Sequence, residues 1–520
     1  MCTCWRAARS SKAVTRSWPR NWKPKVTAGW KARSPDMSTS VTPAAEFHQH
    51  ALALAAAQSA ALAQQDNSPA WMTTLREQGA ADFARTAWPG RKTEQWKYTS
   101  LQAFQDFVAA DWGAAPEVGS EVVTDAPSGA DTDTDAVGNT VLSLDATRLV
   151  FVDGVLDMLA SDALPAGVTL FSQADADADK IIADHLGKIA GGVDASRRNL
   201  FAMLNNAWTC DGLLLHVPRG VTLERPLYIA HVSSAGAGQP AALATVANHR
   251  VLIVMEEGSG AQVIEHFVGS GAGQPAFVNA LTEIQLGNNA QLHHTRLNME
   301  DEALSHVGAV HLNLHRDSRF HGFTIAEGSR LKRIDYQMNH CGRGADLKLD
   351  GVYLARHRQL VDYHTTIEHR VPHCTSQEVF RGIIGDRAKA VFNGRIHIHK
   401  DAQKTLAELN NRNLLTSNAA EVDTKPELEI YADDVRCAHG ATISQLDETA
   451  LYYLQSRGIS PSQARVMLSF GFINELLQGL PHEAIRTALG THLAALFAAD
   501  RALVSDVGYS DQQAIDSESV

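Results

Sequence analysis

Between about residues 200 and 445 the chain alternates apolar and polar positions with a period of two. The runs "GLLLHVPRGVTL", "HRVLIVMEEGSGAQVIEHFVG", "FVNALTEIQLGNNAQLHHTRLN" and "RLKRIDYQMNHCGRGADLKLDGVYLARHRQLVDYHTTIEH" carry the pattern. Such alternation predicts β-strands with one face buried. The turns between these strands resemble one another: "GSGAQV" at 258, "GNNAQL" at 287, "RDSRFH" at 316 and "GADLKL" at 344, starting 29, 29 and 28 residues apart. A turn and strand repeated at such a period predicts a solenoid, and all-β rungs predict a β-helix whose strands stack rung on rung. A large sandwich is the alternative, and it predicts denser hairpin signals.

Helical texture flanks this core. Residues 37–112 read as an N-terminal helical region: "AAEFHQHALALAAAQSAALAQQ" has strong helix propensity. In "SPAWMTTLREQGAADFARTAW", Ser68 and Pro69 suit an N-cap and first helical position. The polar-aromatic stretch "RKTEQWKYTSL" follows at 91–101, then an acidic flexible linker at 113–139 with six acids and no bases, and a connecting α/β segment at 140–199. Beyond the core at 200–445, residues 446–504 form a C-terminal helical domain. Asp447 caps its first helix, and Ser460-Pro461-Ser462-Gln463 has the capping-box pattern. Val466, Phe470, Ile473 and Leu477 recur at 4, 3 and 4 residues, making an apolar stripe expected to pack mostly within its own domain. Removing residues 446–520 should then leave the β-helix folded. The tail at 505–520 is polar.

Charge and cysteine content narrow the function classes. The net charge of −12 disfavours nucleic acid or an anionic membrane surface as the main partner. No apolar run approaches a membrane span. Six scattered cysteines make no disulfide framework and suit a reducing compartment, the cytoplasm being expected. Residues 1–36 depart from the rest, with nine Lys/Arg, four of the nine Trp and one acid, Asp36. A basic, acid-poor leader fits a transit peptide. Its Trp and Pro content makes a poor amphipathic helix, however, and "MSTSVTPAAEF" from Met37 reads like an ordinary start. An over-extended gene start is the expectation.

The chemistry-bearing residues are few. The chain has no GxxxxGK[ST] loop, so it is not expected to hydrolyse ATP, and no G-x-S-x-G, H-E-x-x-H or CxxC motif. Fourteen of the 23 histidines lie between 293 and 439. "HIH" at 397–399 puts two imidazoles on one strand face, and "HTTIEHRVPHC" at 364–374 gathers three His and Cys374. Imidazole and thiolate are natural ligands for iron or zinc, yet a polar solenoid face carries histidine at no cost. In "DDVRCAHGATI", 433–443, alternation puts Cys437 and His439 on one face, near enough to bind the same metal or cluster edge. Two ligands are half of what a stable iron–sulfur cluster needs, so the pair reads as half a site completed by another subunit. A buried cysteine beside a hydrogen-bonded histidine fits the pattern equally well.

Three stretches carry a family resemblance. "AEVDTKPELEIYADDVRCAHGATISQLDETALYYLQSRGI" at 420–459, "TEQWKYTSL" at 93–101 and "RAKAVFNGRIHIHKDAQKTLAELNNRNLL" at 387–415 resemble the SufD branch of the SufB/SufD family of iron–sulfur cluster assembly scaffolds. The resemblance spans about residues 50–500. It implies a right-handed parallel β-helix core flanked by N- and C-terminal α-helical regions. It implies a non-enzymatic scaffold that pairs with SufB through the β-helices and holds the SufC ATPase on the C-terminal helices. A homodimer is the alternative in the absence of SufB. By resemblance His439 helps build a nascent iron–sulfur cluster shared with SufB, with Cys437 beside it. The cluster type and any part for a flavin are left open. SufB itself would show an N-terminal cysteine cluster and Glu-His-Glu-Ala in place of Cys437-Ala438-His439-Gly440. The competing readings are a β-helix enzyme acting on a polysaccharide or small molecule, and a purely structural partner of SufB and SufC.

Overall fold

The computed structural model describes residues 43–63, 69–90, 92–101, 111–112, 141–189, 199–233, 243–269 and 276–499. The expectations for the leader, the linker, the tail and Ser68 lie outside these residues. In chain order the helices are α1 (Pro43–Ala63), α2 (Ala70–Arg85), α3 (Ala176–His185), α4 (Leu200–Trp208), α5 (Glu448–Ser456), α6 (Pro461–Gln478) and α7 (Glu483–Ala499). The strands are β1 (Asp111–Trp112), β2 (Thr147–Val152), β3 (Val155–Leu156), β4 (Val168–Leu170), β5 (Leu213–Val217), β6 (Leu227–Ser233), β7 (Leu243–Met255), β8 (Gly260–Gly269), β9 (Ala276–Leu286), β10 (Gln291–Met299), β11 (Ser305–Leu314), β12 (Arg319–Glu327), β13 (Leu331–His340), β14 (Asp346–Ala355), β15 (Leu360–His369), β16 (Thr375–Ile384), β17 (Lys389–Ile398), β18 (Leu406–Leu415), β19 (Glu421–Ile430) and β20 (Arg436–Gln445).

From β5 onward the chain visits two sheets alternately. One has the order β19-β17-β15-β13-β11-β9-β7-β5-β4, with β1 beside β7. The other has the order β20-β18-β16-β14-β12-β10-β8-β6-β2-β3. Neighbours from β5 to β20 are parallel, so each rung adds one strand to each sheet, as a β-solenoid requires. Gly260 aligns with Gln291, Arg319, Asp346, Thr375, Leu406 and Arg436 on successive rungs, so the expected period is present. The repeated turns work through one residue each. Gly258, Asn289, Asp317 and Gly344 all have a left-handed backbone, with φ of 70°, 55°, 56° and 76°.

The interior is a stack of side-chain columns. Ala261, Leu292, Phe320, Leu347, Ser376, Ala407 and Cys437 form one, and Val263, His294, Gly322, Leu349, Glu378, Leu409 and His439 the next. The outer faces are covered as well. On the first sheet, Phe277, Val307 and Leu331 pack with Phe47 of α1, Phe83 of α2 and Phe201, Leu204 and Trp208 of α4. On the second, Ile325, Val352, Leu354 and Ile383 pack with Ile473, Leu476 and Leu477 of α6 and Leu489, Leu493 and Phe497 of α7. The 466–477 stripe thus joins one apolar layer with the solenoid itself.

The polar-aromatic motif near the N-terminus is a clasp on the first sheet. Trp96 is buried, and the Arg333 guanidinium lies 3.9 Å from its ring centroid. Arg333 Nη1 also donates to Gln95 O at 2.7 Å, and the Thr99 hydroxyl donates to Asp362. Within the span read as helical, 94–96 is a single 3-10 turn and 111–112 a strand. Pro69 sits at the N-cap of α2, one residue before its first turn.

Candidate functional site

Residues 431–445 form the C-terminal rim of the solenoid. β20 pairs with β18 on one side, β19 with β17, and each stands last in its sheet, its other edge unpaired among the described residues. Such edges are templates for another chain. The inward residues of this rung lack the next layer that covers their counterparts elsewhere. Ile443 lies over buried Asn413 and Ile430 over buried Ile398, yet Ile443 and Ile430 are 48% and 43% exposed.

Cys437 and His439 stand side by side in this open layer. Cys437 lies over Ala407 and His439 over Leu409, both core residues, so the shared face expected from alternation is the inward one. Cys437 is half-buried against the core, and burial pushes its thiol upward; the Ala407 backbone opposes this by less. At neutral pH it is a thiol until a metal or base takes the proton. His439 is exposed, and no described residue hydrogen-bonds its ring. Of the two preceding acids, Asp434 is tied to Lys404, and its N–H donates to Gln403 Oε1 at 2.9 Å. The rim therefore offers one free imidazole and one soft sulfur donor beside unpaired strand edges.

The other histidine-rich stretches separate. His369 stacks on His340 with centroids 4.2 Å apart and bonds the Ser376 hydroxyl at 2.9 Å. His373 takes a turn with φ of 64°, and Cys374 is buried in the core. The expectation that solenoid histidines sit on polar outer faces fails for many. His231, His249, His266, His294, His306, His311, His340 and His369 are all buried. Burial holds His231 at about 3 and His340 at about 4, so they are neutral hydrogen-bonding core groups. His294 bonds Glu265, and Glu265 also takes the Thr282 hydroxyl at 2.8 Å. His397 and His399 do remain together, on the outward side of the first sheet and both on Glu368. Glu368 was not singled out from sequence. Its signal is the repeat, since it lies one rung before His397.

Comparison with known proteins decides what this architecture belongs to. The SufBD core domain of the SUF system for FeS cluster assembly matches residues 236–472, and the SufBD N-terminal region matches 47–229. The iron-sulfur cluster assembly protein SufD of Escherichia coli is 32% identical over 410 residues, covering 79% of this chain and 89% of its own. The chain belongs to the SufBD family. A SufBD family protein of Synechocystis is 29% identical over 80% of this chain and 89% of its own length. The chloroplastic protein ABCI7 of Arabidopsis thaliana is 27% identical over 91% and 96%. The SufBD core match runs through the solenoid rim and into α6, so the Cys437–His439 pair is part of the family domain.

Proposed function

We propose that this SufBD-family chain is a SufD-type scaffold that helps build nascent iron–sulfur clusters, with His439 and Cys437 supplying half of the site. The observation that carries the reading is the rim. A free imidazole and a thiol crown the interior columns where two strand edges and two inward isoleucines lack a neighbour. A SufB-like β-helix set against that rim would cover the isoleucines and complete the ligand set. The cluster is cargo: His439 would offer a neutral nitrogen to iron or hold a proton as sulfide forms. Cys437, once deprotonated, would add a softer donor.

Docking of the SufC ATPase falls to the C-terminal helices in this reading. Tyr452 and Tyr453 of α5 and Met467 of α6 are exposed large side chains, and Tyr and Met are enriched at the cores of protein interfaces. The chain itself is proposed to be non-enzymatic and cytoplasmic. Among the described residues no helix is long and apolar enough to cross a membrane.

The deciding experiment is co-expression with SufB and SufC, followed by iron and acid-labile sulfide analysis of the purified complex. The His439→Ala variant is expected to assemble and to keep its circular dichroism, because the ring is exposed and unbonded. Its cluster content should fall sharply. Wild-type loading in that variant would refute the ligand role, and failure to assemble would point to a structural one.

A further inference from the structure

A second cluster of ligand-type side chains lies away from the rim, on the outward side of the first sheet. β15 and β17 are neighbours in register, with Glu368 beside His397. His399 follows β17 by one residue and returns to the same side. Its ring centroid is 4.2 Å from that of His397. His397 Nδ1 and His399 Nε2 both lie 2.7 Å from the same carboxylate oxygen, Glu368 Oε2. One ligand atom from each of the three residues lies within 4.8 Å of the other two.

We propose that Glu368, His397 and His399 form a binding site for a divalent transition-metal ion of the zinc or ferrous type. Two imidazoles and one carboxylate are the donor set that suits these borderline ions. The geometry favours an ion over a plain salt bridge. Two ring nitrogens converge on one oxygen, so a divalent ion among them would take the place of the two shared protons. The carboxylate is already oriented for this. Arg395 Nη1 donates to the other oxygen, Oε1, at 2.7 Å, leaving Oε2 directed at the rings. Arg395 is itself clamped by Glu429 through Nε at 2.8 Å and Nη2 at 2.7 Å, which balances its charge near the cation. Such outer partners are what hold metal ligands in place. Access is also present: Glu368 and His397 side chains are 14% and 17% exposed, whereas His399 is 41% exposed. Three protein ligands leave positions for water or for a group from another molecule.

This site stands independently of the cluster-assembly reading, and so does its test. The purified full chain is titrated anaerobically with Co(II), read by visible absorption, and with Zn(II), read by calorimetry. Circular dichroism is recorded on every variant. One equivalent should bind with a nitrogen–oxygen d–d spectrum lacking thiolate charge transfer, and it should persist in Cys437→Ala and His439→Ala. That equivalent should disappear in Glu368→Gln and in His399→Ala. The latter removes an exposed ring beyond the strand end and should leave the fold intact. Retention of the equivalent in folded His399→Ala, its loss in His439→Ala, or no stoichiometric binding by the wild-type chain would each overturn the site.

Discussion

Glu378 is a carboxylate inside the solenoid. It lies between Leu349 and Leu409 in the interior column that ends at His439. Neither of its oxygens has a hydrogen-bond partner, and the Thr365 hydroxyl lies nearby without meeting hydrogen-bond geometry. Burial pushes the carboxyl from its ordinary 4.5 up to about 8. A raised carboxylate holds its proton in the folded chain and loses it in the unfolded one, so stability falls as pH rises from about 4.5 to about 8. Glu378→Gln removes that dependence. The variant should gain on wild type across this window, by on the order of 3 kcal/mol at its alkaline end. Urea unfolding at both ends of the window checks this, and an equal difference at each end would contradict it. The Cys437–His439 face was legible because residues two apart on any strand share a side. Alternation could not expose Glu378. Both faces of β16 are covered, so apolar residues occupy either parity and the period-two signal fades.

At the level of turns and helices, legibility follows the chemistry of single positions. The Ser460–Gln463 capping box and the Asp447 cap form as read, because side-chain oxygens and unsatisfied helix N–H groups leave few alternatives. The solenoid repeat was readable from 258 to 344, where Gly, Asn or Asp takes the left-handed turn position. It faded where His373 and Lys404 take the same conformation, with φ of 64° and 62°. The conformation also grades two substitutions. Gly258→Ala has nothing within 4 Å of the new carbon and should cost only the backbone term, about 1 kcal/mol. Gly344→Ala should cost more, since its new carbon would lie 2.3 Å from Asp317 Oδ1. Chemical denaturation of both variants tests the order, and equal losses would contradict it. The C-terminal helices revise one expectation. With α6 and α7 lying on Ile325, Val352, Leu354 and Ile383, removal of residues 446–520 uncovers an apolar sheet face. The truncated chain is expected to bind a hydrophobic dye and aggregate instead of persisting as a folded β-helix. A monomeric, dye-silent truncation would show that the helices are dispensable to it. SufC docking is better probed by substituting exposed Tyr452 and Tyr453.

The two ends of the solenoid are finished differently, and the difference bears on assembly. At the start, β2 with β3 and β4 with β5 pair antiparallel, so the chain's own short strands turn back over the sheets. At the other end no described strand pairs with the outer edges of β19 and β20, although Glu94 of the N-terminal clasp reaches across to Lys425 of β19. The edge is nonetheless guarded. Pro426 removes an N–H from β19, and Lys425, Glu427 and Glu429 surround it with charge, which discourages indiscriminate strand pairing. A rim with a blunted strand beside an open one, and with inward isoleucines at its mouth, suits the proposed pairing with a SufB-like chain. Composition hinted at none of this, because the rim is a matter of which rung comes last; the half-site count at Cys437 and His439 and the resemblance pointed only to a partner. Ile443→Asp tests the rim without touching either ligand. The side chain is half-exposed in the isolated chain, so stability should change by less than about 0.5 kcal/mol. Against a partner, the new carboxylate would be desolvated without a counter-charge, and pairing should weaken by several kcal/mol, on the order of 3. Co-elution with SufB and thermal unfolding of the isolated chain separate the two effects. Loss of co-elution with unchanged unfolding is the expected result. Undiminished co-elution would place the SufB contact away from this rim.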